Sequence, residues 1–214
     1  MLTTPTAING KVSLRVLHHG LPPPRQPNDV RREREYLTPA EVKRLIEAAR
    51  TSARTRRYGH RDSTLLLLAY RHGLRVSELV HLRWDHVDFQ AASLMVHRLK
   101  GGRSLMHPLN GDELRALRKL QRDWPNTAYL FLSERRGPLT AATVRKLVAR
   151  AGERAGIGFP VHPHMLRHAC GYKLVNDGKD TRSIQDYLGH VNIRHTQRYT
   201  ALSVQRFRDF FGDE

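Results

Sequence analysis

Apolar residues recur along most of this chain at intervals of three and four, the spacing of one helix face. The first clear instance follows Thr38-Pro39-Ala40-Glu41, a capping box with proline at the first helical position, after which Val42, Leu45, Ile46 and Ala49 share a side. Residues 50–61 read as a polar, arginine-dense connector. The run Leu65-Leu66-Leu67-Leu68-Ala69-Tyr70 then predicts a buried helix ending at Gly73, and residues 74–79 begin another short one. Between Trp84 and Leu109 the period changes: short apolar runs, Leu94-Met95-Val96 and Leu105-Met106, flank Lys100-Gly101-Gly102-Arg103 and predict a hairpin with Lys100 at its tip.

Helical spacing returns at Leu114, Leu117 and Leu120, and again at Val144, Leu147 and Val148 behind a cap at Thr140. Pro163 opens a helix carrying His164 to Leu174, which Asp177-Gly178 closes. Two short helices, over residues 181–188 and 193–199, lead to an amphipathic end with Val204, Phe207, Phe210 and Phe211. Residues 1–35 read instead as a basic arm, since Leu21-Pro22-Pro23-Pro24 and Pro27-Asn28-Asp29 favour extended or turning chain and Arg31-Arg32-Glu33-Arg34 is strongly charged. The expected organisation is an arm over 1–35, one mainly helical domain over 36–200, and a tail over 201–214. There is no internal repeat and no low-complexity segment.

Charge narrows the choice of partner. With 37 Lys and Arg against 20 Asp and Glu, the formal charge is +17 over 214 residues, a field that favours polyanions. A membrane is a poor second candidate, because no stretch approaches the ~18 to 20 apolar residues needed to span a bilayer and the first 20 residues lack the apolar core of a signal peptide. The lone cysteine, Cys170, has no partner for an internal disulfide. It lies in an apolar stripe with Leu166 and Leu174, as a small core residue in a protein of the reducing cytoplasm would.

A set of polar residues suggests what is done to the polyanion. Phosphodiester transfer without a metal needs fixed positive charge around the non-bridging oxygens, and arginine supplies it with a planar fork that stays protonated. Arg75 and Arg167 are the candidate phosphate clamps, although either could be a solvated surface charge in so basic a chain. His164 lies three residues before Arg167 on one helix face, placed to take a proton from an attacking hydroxyl; Glu78 has the same spacing from Arg75 and could orient it, with His168 as a second supporting group. His190 follows Gly189 and could donate to a phosphate oxygen. Tyr199 is the candidate nucleophile, its pKa of ~10 requiring cationic neighbours or a base, and Lys100 the candidate acid for the departing oxygen. The blander readings are a packing tyrosine and a lysine that contacts phosphate from a turn. A metal site at His162, His164 and His168 is the rival use of the histidines, but no cysteine or carboxylate at zinc-site spacing accompanies them, so no metal is expected.

The segments His72-Gly73-Leu74-Arg75-Val76-Ser77-Glu78-Leu79, Lys100 with its following glycines, His164-Met165-Leu166-Arg167-His168, Leu188-Gly189-His190 and Arg198-Tyr199-Thr200 occur in an order and spacing that resembles the tyrosine recombinase (phage integrase) family. The resemblance covers Tyr36 to the C-terminus. It implies an α+β, mainly α fold: a helical catalytic domain with a small three-stranded antiparallel sheet. It also implies a catalytic set of Arg75, Lys100, His164, Arg167, His190 and Tyr199, a 3′-phosphotyrosyl intermediate releasing a 5′-hydroxyl, and strand exchange without ATP, metal or other cofactor. The implied partners are double-stranded DNA, further copies of the chain in a tetramer on DNA (a monomer when free), and accessory DNA-bending proteins. Family members usually carry a separate helical clamp domain, for which only the arm stands here. That compactness resembles the fimbrial phase-variation invertases and implies inversion or integration. Two other functions fit the same residues: nicking and resealing as by a type IB topoisomerase, and a non-catalytic DNA-binding accessory protein with this fold.

Overall fold

The computed structural model describes residues 34–51, 55–98 and 103–200. Among them run α1 (Pro39–Thr51), α2 (Arg56–Arg71), α3 (Val76–Val80), β1 (Val87–Asp88), β2 (Ser93–Val96), β3 (Leu105–Pro108), α4 (Gly111–Asp123), α5 (Ala141–Arg154), α6 (Pro163–Asn176), α7 (Thr181–Leu188) and α8 (Arg194–Thr200). The expected arm up to residue 33, the hairpin lysine Lys100 and the tail over 201–214 lie outside the described residues.

The capping box of α1 is formed: the Thr38 N–H donates to Glu41 Oε2 at 2.8 Å and the Glu41 N–H to Thr38 Oγ1 at 3.3 Å. Val42, Leu45 and Ala49 are buried beneath it. The next helix begins well before its leucine run. Thr55 caps α2 by accepting from the Tyr58 N–H, and residues 56–61 of the supposed connector are helical. Arg61 explains the misleading polarity: it is buried, bonded to Asp62 and, at 2.6 Å, to the Leu132 carbonyl. A satisfied guanidinium can occupy an inward position that an apolar pattern assigns only to hydrocarbon.

The strands form one antiparallel sheet in the order β1-β2-β3, with Val87 opposite Leu94 and, across the hairpin, Leu94 opposite His107 and Val96 opposite Leu105. Leu94 and Val96 face the core and Ser93 and Met95 alternate with them. This mainly helical domain with a three-stranded sheet is the expected fold class.

Helix α6 is the centre of the molecule, packing against α1, α2, α5, α7 and α8. Its residues Met165 to Gly171 are all buried. Apolar residues cannot be the whole of that run, because it includes Arg167 and His168, and buried polar groups on such a helix must find partners. Those partners are the ends of α2, α7 and α8. The main hydrophobic core joins α1 to α6, while a smaller cluster of Cys170, Val175, Ile184, Leu188 and Tyr199 packs the last two helices onto α6.

Candidate active site

Two helix ends of the same kind frame the site. α2 closes on left-handed Gly73, with the Leu74 N–H bonding back to the Ala69 carbonyl, and α7 closes on left-handed Gly189. The two ends touch, since a Cβ on Gly73 would run into Leu188 Cδ2. Arg75 follows the first glycine by two residues and His190 the second by one, so the packing of these ends sets the distance between them.

Arg75 is half-buried. Its backbone N–H donates to Glu78 Oε2 and its Nη1 to Glu78 Oε1, each at 2.8 Å. Glu78 is buried and takes a third bond, from Nη1 of Arg98 at 2.8 Å. Arg167, 1% exposed, donates through Nη1 to the Gly73 carbonyl at 2.5 Å and through Nη2 to the Leu188 carbonyl at 2.6 Å. Burial first, and then the charges of Arg75 and Arg98, push its pKa down to about 10, which still leaves it cationic at neutral pH. Arg75 and Arg98 thus share the one carboxylate of Glu78 while Arg167 stands on neutral carbonyls, and the excess positive charge is fixed before any substrate arrives.

The imidazoles respond to that charge. His190 holds Thr196 Oγ1 at 2.8 Å through Nδ1, and its pKa is pushed down to about 3 by burial, then by Arg167 and Arg75. His164 has an exposed side chain at the start of α6, yet the protein around its ring and the charge of Arg167 bring its pKa down to about 4. His168, one turn further and buried, lies far below the usual imidazole range, by burial first and then by His164 and Arg198. All three are neutral at pH 7.

The Tyr199 hydroxyl lies 2.9 Å from Nδ1 of His168. Its partner is therefore His168, while His164 meets the edge of the His168 ring at a centroid distance of 4.4 Å. The helical period is the reason: four residues on, His168 faces α8 from the buried side of α6, and His164 stands at its open end. Tyr199 is 1% exposed and packs against Gly171, Tyr172 and the His190 ring. Burial raises its pKa to about 12, against the opposing pull of Arg167 and Arg198. On the outer side of α8, Arg198 pairs with Glu35 at 2.5 Å, and the Tyr36 ring packs tilted against Tyr172 at a centroid distance of 4.1 Å, so the start of the described chain braces the tyrosine helix.

The structure therefore gathers Arg75, Glu78, His164, Arg167, His168, His190 and Tyr199 around one locus, with Lys100 outside the described residues. It adds Arg98 and Thr196, which sequence reasoning passed over. Arg98 carried a signal: it continues the inward alternation of Leu94 and Val96, where a cation must be paired. Thr196 carried none, its role arising only from the turn that brings α8 back beneath His190.

Residues 35–206 match the sequence model of the phage integrase family. The type 1 fimbriae regulatory protein FimE of Escherichia coli (strain K12) is 44% identical over 181 residues, covering 82% of this chain and 89% of its own. Tyrosine recombinase XerA of Pyrococcus horikoshii is 36% identical over 179 residues, 81% of this chain and 59% of that protein. The crystal structure of XerA recombinase superposes with a TM-score of 0.70 at 30% identity, covering 87% of this chain and 68% of that one.

Proposed function

Because this chain belongs to the phage integrase family, we propose that it is a site-specific recombinase that breaks and rejoins double-stranded DNA through a covalent bond between Tyr199 and a 3′ phosphate. The observation that carries the reading is the Tyr199 hydroxyl seated 2.9 Å from a neutral imidazole beside a fixed excess of arginine charge. In the cleavage step the tyrosine oxygen bonds to phosphorus while the bond from phosphorus to the 5′ oxygen breaks. His168, with its proton on Nε2, accepts the hydroxyl proton at Nδ1. Arg75 and Arg167 hold the charge that gathers on the non-bridging oxygens. His190 acts in the tautomer with its proton on Nε2, the nitrogen that donates to a phosphate oxygen, and Thr196 Oγ1, 2.8 Å from Nδ1, then donates to that nitrogen. Lys100 protonates the departing 5′ oxygen. Reversal by a new 5′-hydroxyl reseals the strand, and because the phosphotyrosyl bond retains the energy of the diester, neither ATP nor a metal enters any step.

Tyr199 is covered in the free protein, so attack requires α8 to shift on α6 when DNA and neighbouring copies bind. A tetramer on DNA, with bending proteins as helpers, provides two rounds of exchange, and inversion or integration is the outcome. The work is cytoplasmic, where the DNA is. The test is covalent trapping on nicked duplexes tiled across the DNA flanking the chain's own gene, with chelator present and nucleotide omitted. An adduct on a denaturing gel with wild type and none with Tyr199→Phe is the expected result; duplex binding without any adduct overturns it in favour of a non-catalytic DNA-binding protein.

A further inference from the structure

Arg98 and Arg167 repeat one arrangement a residue apart. Arg167 joins the Gly73 carbonyl to the Leu188 carbonyl. Arg98 joins the His72 carbonyl, at 3.3 Å, to the Tyr187 carbonyl, at 2.5 Å. These four oxygens belong to the C-terminal ends of α2 and α7, where carbonyls lack helical partners. The two guanidinium groups therefore fasten the segment leading to Arg75 to the segment leading to His190. The stem of Arg98 lies directly on Gly189: a Cβ there would sit 2.8 Å from its Cγ and Nε. The Arg98 side chain is 0% exposed, so it does not reach DNA itself.

We infer that Arg98 is a positioning residue for strand cleavage that acts through Arg75: by holding half of Glu78 it leaves the positive field of Arg75 free for the phosphate, and through the His72 and Tyr187 carbonyls it holds in place the helix end that leads to Arg75. The inference rests on the reading of this site as a phosphoryl-transfer centre. Its electrostatic part follows from the sharing of Glu78. With Oε1 on Arg75 and Oε2 on Arg98, the carboxylate neutralises neither cation completely. Without Arg98 the same carboxylate turns wholly to Arg75, and the charge left to meet a phosphate falls. Removing a buried cation also leaves the carbonyls of His72 and Tyr187 without that donor, loosening the two helix ends against each other.

Single-turnover cleavage of a nicked duplex, with protein in excess, tests this alongside duplex affinity and the thermal midpoint. Arg98→Met keeps the volume and removes the charge; it is expected to bind duplex like wild type and to form the adduct slower on the order of 100-fold. Arg98→Lys keeps a charge against Glu78 but does not span two carbonyls, and is expected to lose about tenfold. Placed in an Arg75→Ala background, either change should cost less than about threefold more, because its effect is carried by Arg75. A purely structural role predicts instead a full, additive loss in both backgrounds, which overturns the inference, as does cleavage by Arg98→Met at the wild-type rate. If Arg98→Met does not fold, Arg98→Lys in the two backgrounds decides the matter by the same criterion. An adduct from wild type with an indifferent Arg98 refutes the inference alone, whereas no adduct from wild type refutes the parent reading and this inference with it.

Discussion

At Tyr199, burial and chemistry pull in opposite directions: a nucleophile needs its proton removed, yet its pKa is held up to about 12. The nearby imidazole is neutral and in contact, but the burial and cationic neighbours that keep His168 neutral also make it a weak base, so proton transfer requires the negative charge of a bound phosphate to raise its affinity for the proton. His168→Gln should therefore slow adduct formation by about 10² to 10⁴, the usual range for a positioned acid or base, while leaving duplex affinity unchanged. His164→Gln should do less; single-turnover rates in the reverse order would assign the proton to His164. This distinction was only partly legible in the sequence. The i, i+3 and i, i+4 spacings put His164, Arg167 and His168 on one helix, but only the packing of α8 decides which histidine meets the tyrosine. Arg98 was missed for a related reason, since an arginine beside a hairpin reads as surface charge until the burial of Glu78 gives it a partner inside.

At the scale of elements, the chain's own punctuation was informative. The capping box placed α1, Pro163 and Asp177-Gly178 bounded α6, and short apolar runs with glycines between them located the β2–β3 hairpin. The start of α2 was obscured by arginines that read as linker, because the Thr55 cap and the Leu132 carbonyl that accepts Arg61 are supplied by structure rather than by local pattern. Gly73 now has a sharper role than helix stop. Its left-handed backbone and its contact with Leu188 make Gly73→Ala costly twice over, by about 1 kcal/mol for the conformation and ~1–3 kcal/mol for the overlap. Urea denaturation should register a loss of that size, and an unchanged midpoint would dissociate the two helix ends. Gly171 serves α8 in the same manner. A Cβ there would meet Tyr199 ring carbons at 2.7 to 2.8 Å, so Gly171→Ala should lower the thermal midpoint and displace the tyrosine.

For the molecule as a whole, charge and buried imidazoles set the response to solution conditions. His107 and His168 are both buried; His107 is pushed down to about 3, by burial first and then by His72 and Arg98. Their folded pKa values lie below the unfolded value of ~6.5, so below that pH the unfolded chain binds more protons and stability falls as pH falls. At pH 5.5 each should cost roughly 1.4 kcal/mol relative to pH 7.5, so in urea titrations at the two pH values His107→Gln and His168→Gln should each remove about that much of the pH dependence. The net charge of +17 makes affinity for non-specific duplex salt-dependent, falling by about 10³ or more between 50 and 200 mM salt if at least six phosphates are contacted. Charge was legible in composition alone; the closed position of Tyr199 was not, since it depends on packing between segments far apart in sequence. The central claim is the covalent bond at Tyr199, and the most direct measurement is mass spectrometry of the protease- and nuclease-digested adduct, with the DNA labelled at either end of the break. A nucleotide attached to Tyr199 through its 3′ phosphate, with a free 5′-hydroxyl on the other fragment, is the predicted result. Attachment at another residue, or through a 5′ phosphate, would contradict the account.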